Sequence, residues 1–343
     1  MIDGRMIDLV VAGGGPVGLA TALYARRAGL SVVVVEPREG PIDKACGEGL
    51  MPGAVAALAA LGVHPPGRPL GGIRYTDGQR TVEAEFSSGA GRGVRRTGLH
   101  QAVSDAVERA GIPVLRRPVD AVSQDADTVQ VDDVRARYLA AADGLHSPVR
   151  RRLGLSLPTR STPRYGLRRH FAVEPWTGLV EVHWGRGVEA YVTPVADDLV
   201  GVALLTSRRA GFEEQLRQFP ALQARLPGCA ATSARGAGPL RQRARCRVVG
   251  RVLLVGDAAG YVDALTGEGI SVGLATARAL VTCVAADRPG DYERMWRRAS
   301  RRYRWLTEAL LWSRNRPLLA PQIVPAARRL PRVFTAAVNT LAR

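Results

Sequence analysis

From Ile7 to Ala12 the chain is apolar, a cluster of glycines follows, and Pro16 to Ala28 carries apolar residues at helical spacing until Gly29 stops the run. Ser31 to Val35 is a second apolar stretch, ending at Glu36. This reads as strand, glycine turn, helix and strand, a βαβ opening with Pro16 in the first helical turn and Gly29 as the C-terminal stop. Gly71 to Phe86 changes to short alternating stretches around Thr76-Asp77-Gly78, the pattern of a hairpin. A helix is predicted over Leu99–Ala110, with Leu99, Val103, Ala106 and Val107 on one face, and further strands over Pro113–Tyr138, which lead through three alanines to Asp143-Gly144. From about Arg164 to Thr206 apolar and polar positions alternate strongly and include Tyr165, Phe171, Trp176, Trp184 and Tyr191, which predicts an antiparallel sheet of a second domain. A helix over Glu213–Leu226, a hydrophobic strand over Val248–Asp257 and a long helix from about Glu268 to Ala286 complete the regular pattern.

The fold class is therefore α/β: a Rossmann-type dinucleotide domain interleaved with a mainly antiparallel sheet, followed by C-terminal helices. Residues 1–70, 92–156 and 247–290 are assigned to the nucleotide domain, 71–91 and 157–246 to the sheet domain, and 291–343 to the helical tail.

Composition narrows the classes. Hydrophobic residues make up 46% and charged ones 23%, which excludes a disordered chain, and no apolar run approaches the length of a membrane span. Met1 to Arg5 is a polar lead that flows into the first strand, so a cytoplasmic location is expected. Cys46, Cys229, Cys246 and Cys283 are widely spaced, which suggests reduced thiols and no metal site. The net charge of +17 comes from 47 arginines and a single lysine, Lys44. No nucleic-acid-binding pattern accompanies that charge, so it reads as a solvated basic surface.

Gly13-Gly14-Gly15-Pro16-Val17-Gly18 fits G-x-G-x-x-G where that motif carries meaning, after a strand and opening a helix. Gly13 permits the tight turn, Gly15 lets the backbone approach a pyrophosphate, and Gly18 lets helix and strand pack closely. The free N–H groups at the helix start then hold the diphosphate. Glu36, 18 residues after Gly18, sits where a carboxylate accepts the adenosine ribose hydroxyls and repels a 2′-phosphate, so the resident nucleotide is FAD or NAD.

Arg95-Arg96-Thr97-Gly98-Leu99, Ala142-Asp143-Gly144, Gly256-Asp257-Ala258-Ala259-Gly260 and Leu265-Thr266-Gly267-Glu268-Gly269-Ile270 follow along the chain. Together with the glycine loop, over roughly residues 6 to 285, they resemble the class A flavoprotein monooxygenase superfamily, including its geranylgeranyl reductase and halogenase branches. The resemblance implies FAD, with Asp257 on the ribityl chain or pyrophosphate, Gly267 and Gly269 against the flavin pyrimidine, Arg96 on the phosphate and ribityl region, and Asp143 as the aspartate of the DG motif. Gly256, Arg38, Cys46, Gly47 and Ile270 join that set of cofactor contacts. Cys46-Gly47 looks like the Cys-Gly segment of the reductase branch, and Ala190-Tyr191-Val192-Thr193-Pro194 is similar to that branch's Tyr-x-x-Pro strand, although Glu48 breaks the glycine run after Cys46.

There is no second G-x-G-x-x-G unit, so NAD(P)H is expected to bind only transiently, as reductant. The resemblance implies an NAD(P)H-dependent monooxygenase that hydroxylates an aromatic, polyketide-like or otherwise lipophilic metabolite; the alternatives are a reductase that saturates prenyl double bonds and a peripheral membrane protein that keeps FAD structurally. Cys46, His170, His183 and Tyr191 are the candidate catalytic side chains, each with a purely structural reading beside it. The segment Tyr292–Trp312 places arginines around Trp296 and Trp305. It is expected to pack its tryptophans onto the second domain, with an anionic lipid surface as the alternative. A small lipophilic substrate is the expected partner, and the chain is read as a monomer or homodimer.

Overall fold

The computed structural model describes residues 6–228 and 230–342; Cys229 lies outside them. Its helices are α1 (Pro16–Arg27), α2 (Pro52–Ala59), α3 (Arg96–Arg109), α4 (Pro148–Arg152), α5 (Phe212–Leu216), α6 (Pro220–Gln223), α7 (Gly269–Ala285), α8 (Asp291–Arg314), α9 (Ile323–Arg329) and α10 (Pro331–Ala342).

Ile7–Ala12 and Val32–Val35 are buried at nearly every position, the requirement of strands covered on both faces. They lie at the centre of a sheet whose parallel strands run in the order Val252–Leu254, Val134–Ala141, Ile7–Ala12, Val32–Val35 and Val114–Leu115. Val10 sits in register between Leu139 and Val33. Helix α1 packs against α7 so closely that a Cβ on Gly273 would collide with the Val17 side chain.

A seven-stranded sheet gathers Gly72–Thr76, Thr81–Glu85, Tyr165–Ala172, Leu179–Trp184, Val188–Ala196, Leu199–Thr206 and Arg235–Ala237. Cross-strand pairing of Val192 with Val202 and of Tyr191 with Ala203 sorts its side chains onto two faces. One face carries Val188, Ala190, Val192, Val202 and Leu204 and is covered by Phe212, Leu216, Phe219 and Leu222 of the α5–α6 region. The other carries Val180, Val182, Tyr191, Ala203 and Leu205, and packs against Val262, Leu265, Tyr303 and Leu311. The second face looks toward the motif-bearing loops of the first sheet and toward α8.

Three expectations are corrected. The helix over 213–226 is two short pieces, because Phe219 leaves the helical backbone (φ −122°, ψ 68°) and Pro220 can only begin a new helix. The strand over 248–257 doubles back: Val248–Val249 turns at Gly250, whose φ is +55°, and pairs antiparallel with Val252–Leu254. The tail does not bury its tryptophans on the second domain. Trp296 alone is buried, beneath the Arg247 guanidinium 3.9 Å from its ring centre and in the core of the first domain, whereas Trp305 and Trp312 face outward. The tail meets the sheet domain instead through Tyr303, Leu311 and Arg314 of α8 and through α10, where Phe334 meets Tyr75 and Asn339 hydrogen-bonds Ser87 and Glu85.

Candidate functional site

The carboxyl ends of the parallel strands deliver the glycine loop, the ordinary place for a ligand in such a sheet. Gly13 has φ +107°, and a Cβ there would press on the Ala142 carbonyl. A Cβ on Gly18 would run into the Gly13 carbonyl, whereas one on Gly15 would meet nothing within 4 Å. The turn is thus closed behind and open in front, the shape a pyrophosphate needs. Pro16 is the first residue of α1 and leaves no N–H to satisfy there. The Gly14 N–H donates to Glu36 Oε2 at 2.7 Å, and Arg38 grips both Glu36 oxygens, at 2.7 and 2.9 Å. Burial pushes the Glu36 carboxyl up, and these donors more than reverse it, so a buried carboxylate stands at the end of the second strand beside the glycine loop.

Across the loop, Lys44, Arg96, Arg150 and Asp257 form one electrostatic group. Burial, reinforced by Arg38 and Arg96, holds Lys44 below the usual lysine range; burial likewise lowers Arg96, against the pull of Cys46 and Asp257. Neither cationic head has a hydrogen-bond or ion-pair partner among the described residues. Two close cations without counter-ions are what a diphosphate would complement. The Asp257 carboxyl is raised by burial and lowered by Lys44 and Arg96, and its oxygens accept no hydrogen bond from the described residues. Asp143 caps the start of α4 through the Val149 N–H at 2.9 Å, leaving Oδ1 buried and unpartnered. Arg150 ties the two aspartate-bearing turns together by donating to the Leu145 and Ala258 carbonyls, each at 2.9 Å. Gly256 (φ +60°) and Gly267 (φ +71°) take backbone that favours glycine, while Gly269 begins α7 and Ile270 follows it against the first core. The residues present fit a dinucleotide from one end to the other.

Cys46 lies between this group and the second sheet. Burial raises its thiol, so it is a neutral S–H and not a thiolate. Its sulfur accepts the Glu48 N–H at 3.4 Å, and Gly47, next to it, opens on free space. Glu48 has the left-handed φ of +60°, a strained position for a side-chain-bearing residue. Its buried carboxylate accepts the N–H of Arg96 at the start of α3 at 2.8 Å and pairs with His170 Nε2 at 2.7 Å. His170 Nδ1 lies 3.1 Å from both Thr232 Oγ1 and Arg168 Nη1, and Arg168 reaches Asp43. Glu48 thus fastens the Cys46 loop to α3 and to the sheet. Replacing Glu48 by alanine should lower stability by about 3 kcal/mol, because it strands a buried imidazole and a helix-start N–H. Glu48→Gly should cost about 1 kcal/mol less, since glycine relieves the backbone strain. Urea unfolding of the two variants checks the order.

The loop-facing side of the second sheet holds a further polar cluster. Arg164 donates to Glu189 Oε2 at 2.7 Å and to Asp263 Oδ2 at 2.9 Å, and Arg314 donates to Glu189 Oε1 at 2.5 Å. These four side chains are more than nine-tenths buried, and Nη1 of Arg164 and Nη2 of Arg314 have no partner. Trp184, cross-strand neighbour of Glu189, leaves its Nε1 unpartnered too. Between this cluster and Cys46 lies Tyr191, whose hydroxyl donates to the Leu265 carbonyl at 2.7 Å and whose pKa burial raises strongly. Glu268, at the start of α7, is 5% exposed, has one oxygen buried without a partner, and is pushed by burial up to about 9.

The three candidate bases are therefore placed as follows. His170 is spent on Glu48, Tyr191 on the Leu265 carbonyl, and His183 lies on the opposite face of the sheet, against Glu181 and the edge of Phe219. Four functional candidates went unremarked in the sequence. Lys44 carried a signal, being the one lysine among 47 arginines. Glu268 and Glu48 interrupt glycine motifs, and Glu189 puts an acid into an otherwise apolar strand.

Comparison with known proteins agrees with this geometry. A family model described as an FAD binding domain matches residues 6–221. The chain is 31% identical to a menaquinone reductase of Mycolicibacterium smegmatis, over 84% of this chain and 79% of that one. It is 26% identical to digeranylgeranylglycerophospholipid reductase 1 of Methanothermobacter thermautotrophicus, over 85% and 82%. Among solved structures, the flavin-dependent brominase Bmp2 superposes with a TM-score of 0.81 over 98% of this chain and 94% of that one; at 15% identity this is a likeness of fold alone.

Proposed function

The chain belongs to the FAD-binding domain family, and from that premise we propose that this flavoenzyme is a reductase, adding two electrons and two hydrogens across a carbon–carbon double bond of a lipophilic, prenyl-bearing molecule of the quinone kind. The observation that carries the proposal is Glu268, buried at the start of α7 with a carboxyl oxygen that has no partner, an acid placed to donate a proton. Burial keeps it protonated at physiological pH and raises the Cys46 thiol, whereas the Tyr191 hydroxyl is spent on the Leu265 carbonyl. Hydroxylation of a phenol calls for a base, and His170, His183 and Tyr191 are each committed elsewhere. That reverses the order in which the sequence alone ranks the two reactions.

FAD, when bound, supplies the hydride. The chain's own residues do the rest. The glycine loop, Glu36, Lys44, Arg96 and Asp257 would hold the cofactor, and the free N–H groups at the start of α7 favour negative charge beside them. Val180, Val182, Ala203 and Leu205 make this side of the sheet apolar and dry, packed against Val262, Leu265, Tyr303 and Leu311. Arg164, Arg314 and Trp184, each with a spare buried N–H, would take a carbonyl oxygen at the far end. The cluster of two arginines and two carboxylates has no net formal charge, which suits a neutral acceptor better than an anion. Glu268 gives up the proton that completes the addition. NAD(P)H restores the reduced cofactor from outside.

The test is oxygen dependence. With a short-chain prenylated naphthoquinone, NAD(P)H oxidation should run at the same rate in air and in a sealed anaerobic cell, with no oxygen uptake. A rate that collapses without oxygen would overturn the proposal.

A further inference from the structure

We infer that the outer face of α8 and the α9–α10 junction dock on an anionic lipid bilayer. Among the described residues, the exposed large hydrophobic side chains are Met6, Trp305, Trp312, Leu318, Leu330 and Val333, and all but the first lie within one stretch of the C-terminal helices. Trp305 is 69%, Trp312 55% and Leu318 87% exposed. Leaving such side chains in water forgoes their burial, so Trp305 and Trp312, seven residues apart on one helix, ask for a cover.

The geometry of α8 makes that surface a stripe. Arg294, Arg298, Arg301, Arg302, Trp305, Ala309 and Trp312 are exposed and recur every three or four positions, which at about 100° per residue keeps them within roughly 60° of one line. The stripe is basic in its first half and aromatic in its second. Arg294 and Arg297 are tied to Asp291 and Glu293 on their own helix, whereas Arg298, Arg301 and Arg302 have no ion pair among the described residues. The Arg316 guanidinium rests over the Trp312 ring, 4.2 Å from its centre.

The helix cannot roll to hide this face. Its inner side is fastened by the Tyr303 hydroxyl on the Asp263 carbonyl at 2.8 Å, by the Thr307–Thr266 hydroxyl pair at 2.9 Å, and by Arg314 on Glu189. No helix among the described residues is long and apolar enough to cross a membrane, so the face would lie along the interface, tryptophans at the depth of the headgroups and arginines on the anionic lipid. Charge selects the occupant: a second copy of so basic a chain would be repelled, and a bilayer rich in phosphatidylglycerol would not. Docking of this kind does not depend on which reaction the site performs.

The experiment is co-sedimentation of the FAD-loaded protein with phosphatidylcholine vesicles, with and without about one-third phosphatidylglycerol, at low and high salt. The protein should pellet at least about tenfold more with the anionic vesicles, and high salt should release it. Trp305→Ser/Trp312→Ser should lower the bound fraction about tenfold or more, and each neutralisation of Arg298, Arg301 or Arg302 to glutamine by roughly fivefold, while flavin absorbance and melting temperature stay put. Equal pelleting with neutral vesicles, no pelleting, or indifference to the tryptophan changes would overturn the inference. So would a vesicle-free dimer that the same tryptophan changes dissolve.

Discussion

Replacing Glu268 by glutamine lowers turnover by about a hundredfold or more and, in the same protein, raises the melting temperature at alkaline pH. The two effects have one cause. In the unfolded chain Glu268 ionises near 4.5, whereas burial without a partner keeps it protonated in the fold up to about 9. The folded state therefore holds a proton that the unfolded state gives up, and the side chain destabilises the fold progressively as pH climbs from the first value to the second. Below that window both states are protonated and the penalty vanishes; above it the penalty is constant. Glutamine keeps the shape and cannot ionise, so the variant should gain on the order of 2–4 kcal/mol at about pH 8 and almost nothing at about pH 4. Melting curves of the two proteins across that range show whether the gap widens with pH. The kinetic half follows from the lost proton: the variant should retain its flavin and still accept electrons from NAD(P)H, yet pass them to the double bond slowly. In the wild type, turnover should fall as pH rises past the value at which Glu268 ionises. A variant with unchanged turnover and a pH-independent melting difference would remove Glu268 from the mechanism.

The second large effect has opposite signs for the empty and the loaded protein. Lys44→Met/Arg96→Met should weaken FAD binding about 10²- to 10⁴-fold, because each cation contributes a charge-assisted hydrogen bond to phosphate of about 1.5–3 kcal/mol. The apoprotein should be no less stable than the wild-type apoprotein. Both groups have pKa values held below their ordinary ones, so the fold already opposes their charges. Flavin titration by fluorescence quenching gives the first number and melting of the stripped protein the second. A pair of merely structural cations would behave otherwise: removing them would lower apoprotein stability and leave FAD affinity nearly intact.

How much of this was legible in the sequence depended on how local the cause was. The opening strand, turn and helix are written in neighbouring residues: Val32–Val35 is apolar throughout, and Gly13, Pro16 and Gly18 each answer a demand made within a few positions. The Thr76-Asp77-Gly78 hairpin and the alternation of Thr81–Glu85 are equally local. Long-range demands were not legible. Periodicity over 213–226 could not weigh the non-helical Phe219 against the start that Pro220 imposes. The tail pattern gave α8 an amphipathic helix, but which of its faces the body covers is decided by Asp263 and Thr266, some forty residues away. Glu48 read as an interruption of a glycine run, and its purpose appears only when His170, 122 positions on, is brought to its carboxylate. Glu189 needed Arg164, Asp263 and Arg314 from three separate elements before its acid made sense in a strand of apolar residues.

The most direct measurement of the central claim removes both the pyridine nucleotide and oxygen. The FAD-loaded protein, reduced with dithionite under argon, is mixed with a short-chain prenylated naphthoquinone, and the organic product is weighed by mass spectrometry after one turnover. A side chain heavier by two hydrogens, read by fragmentation after the ring is reoxidised to the quinone, and formed as the oxidised flavin spectrum returns, is the predicted result. A side chain that keeps all its double bonds, or a product that gains an oxygen atom once air is admitted, would contradict it.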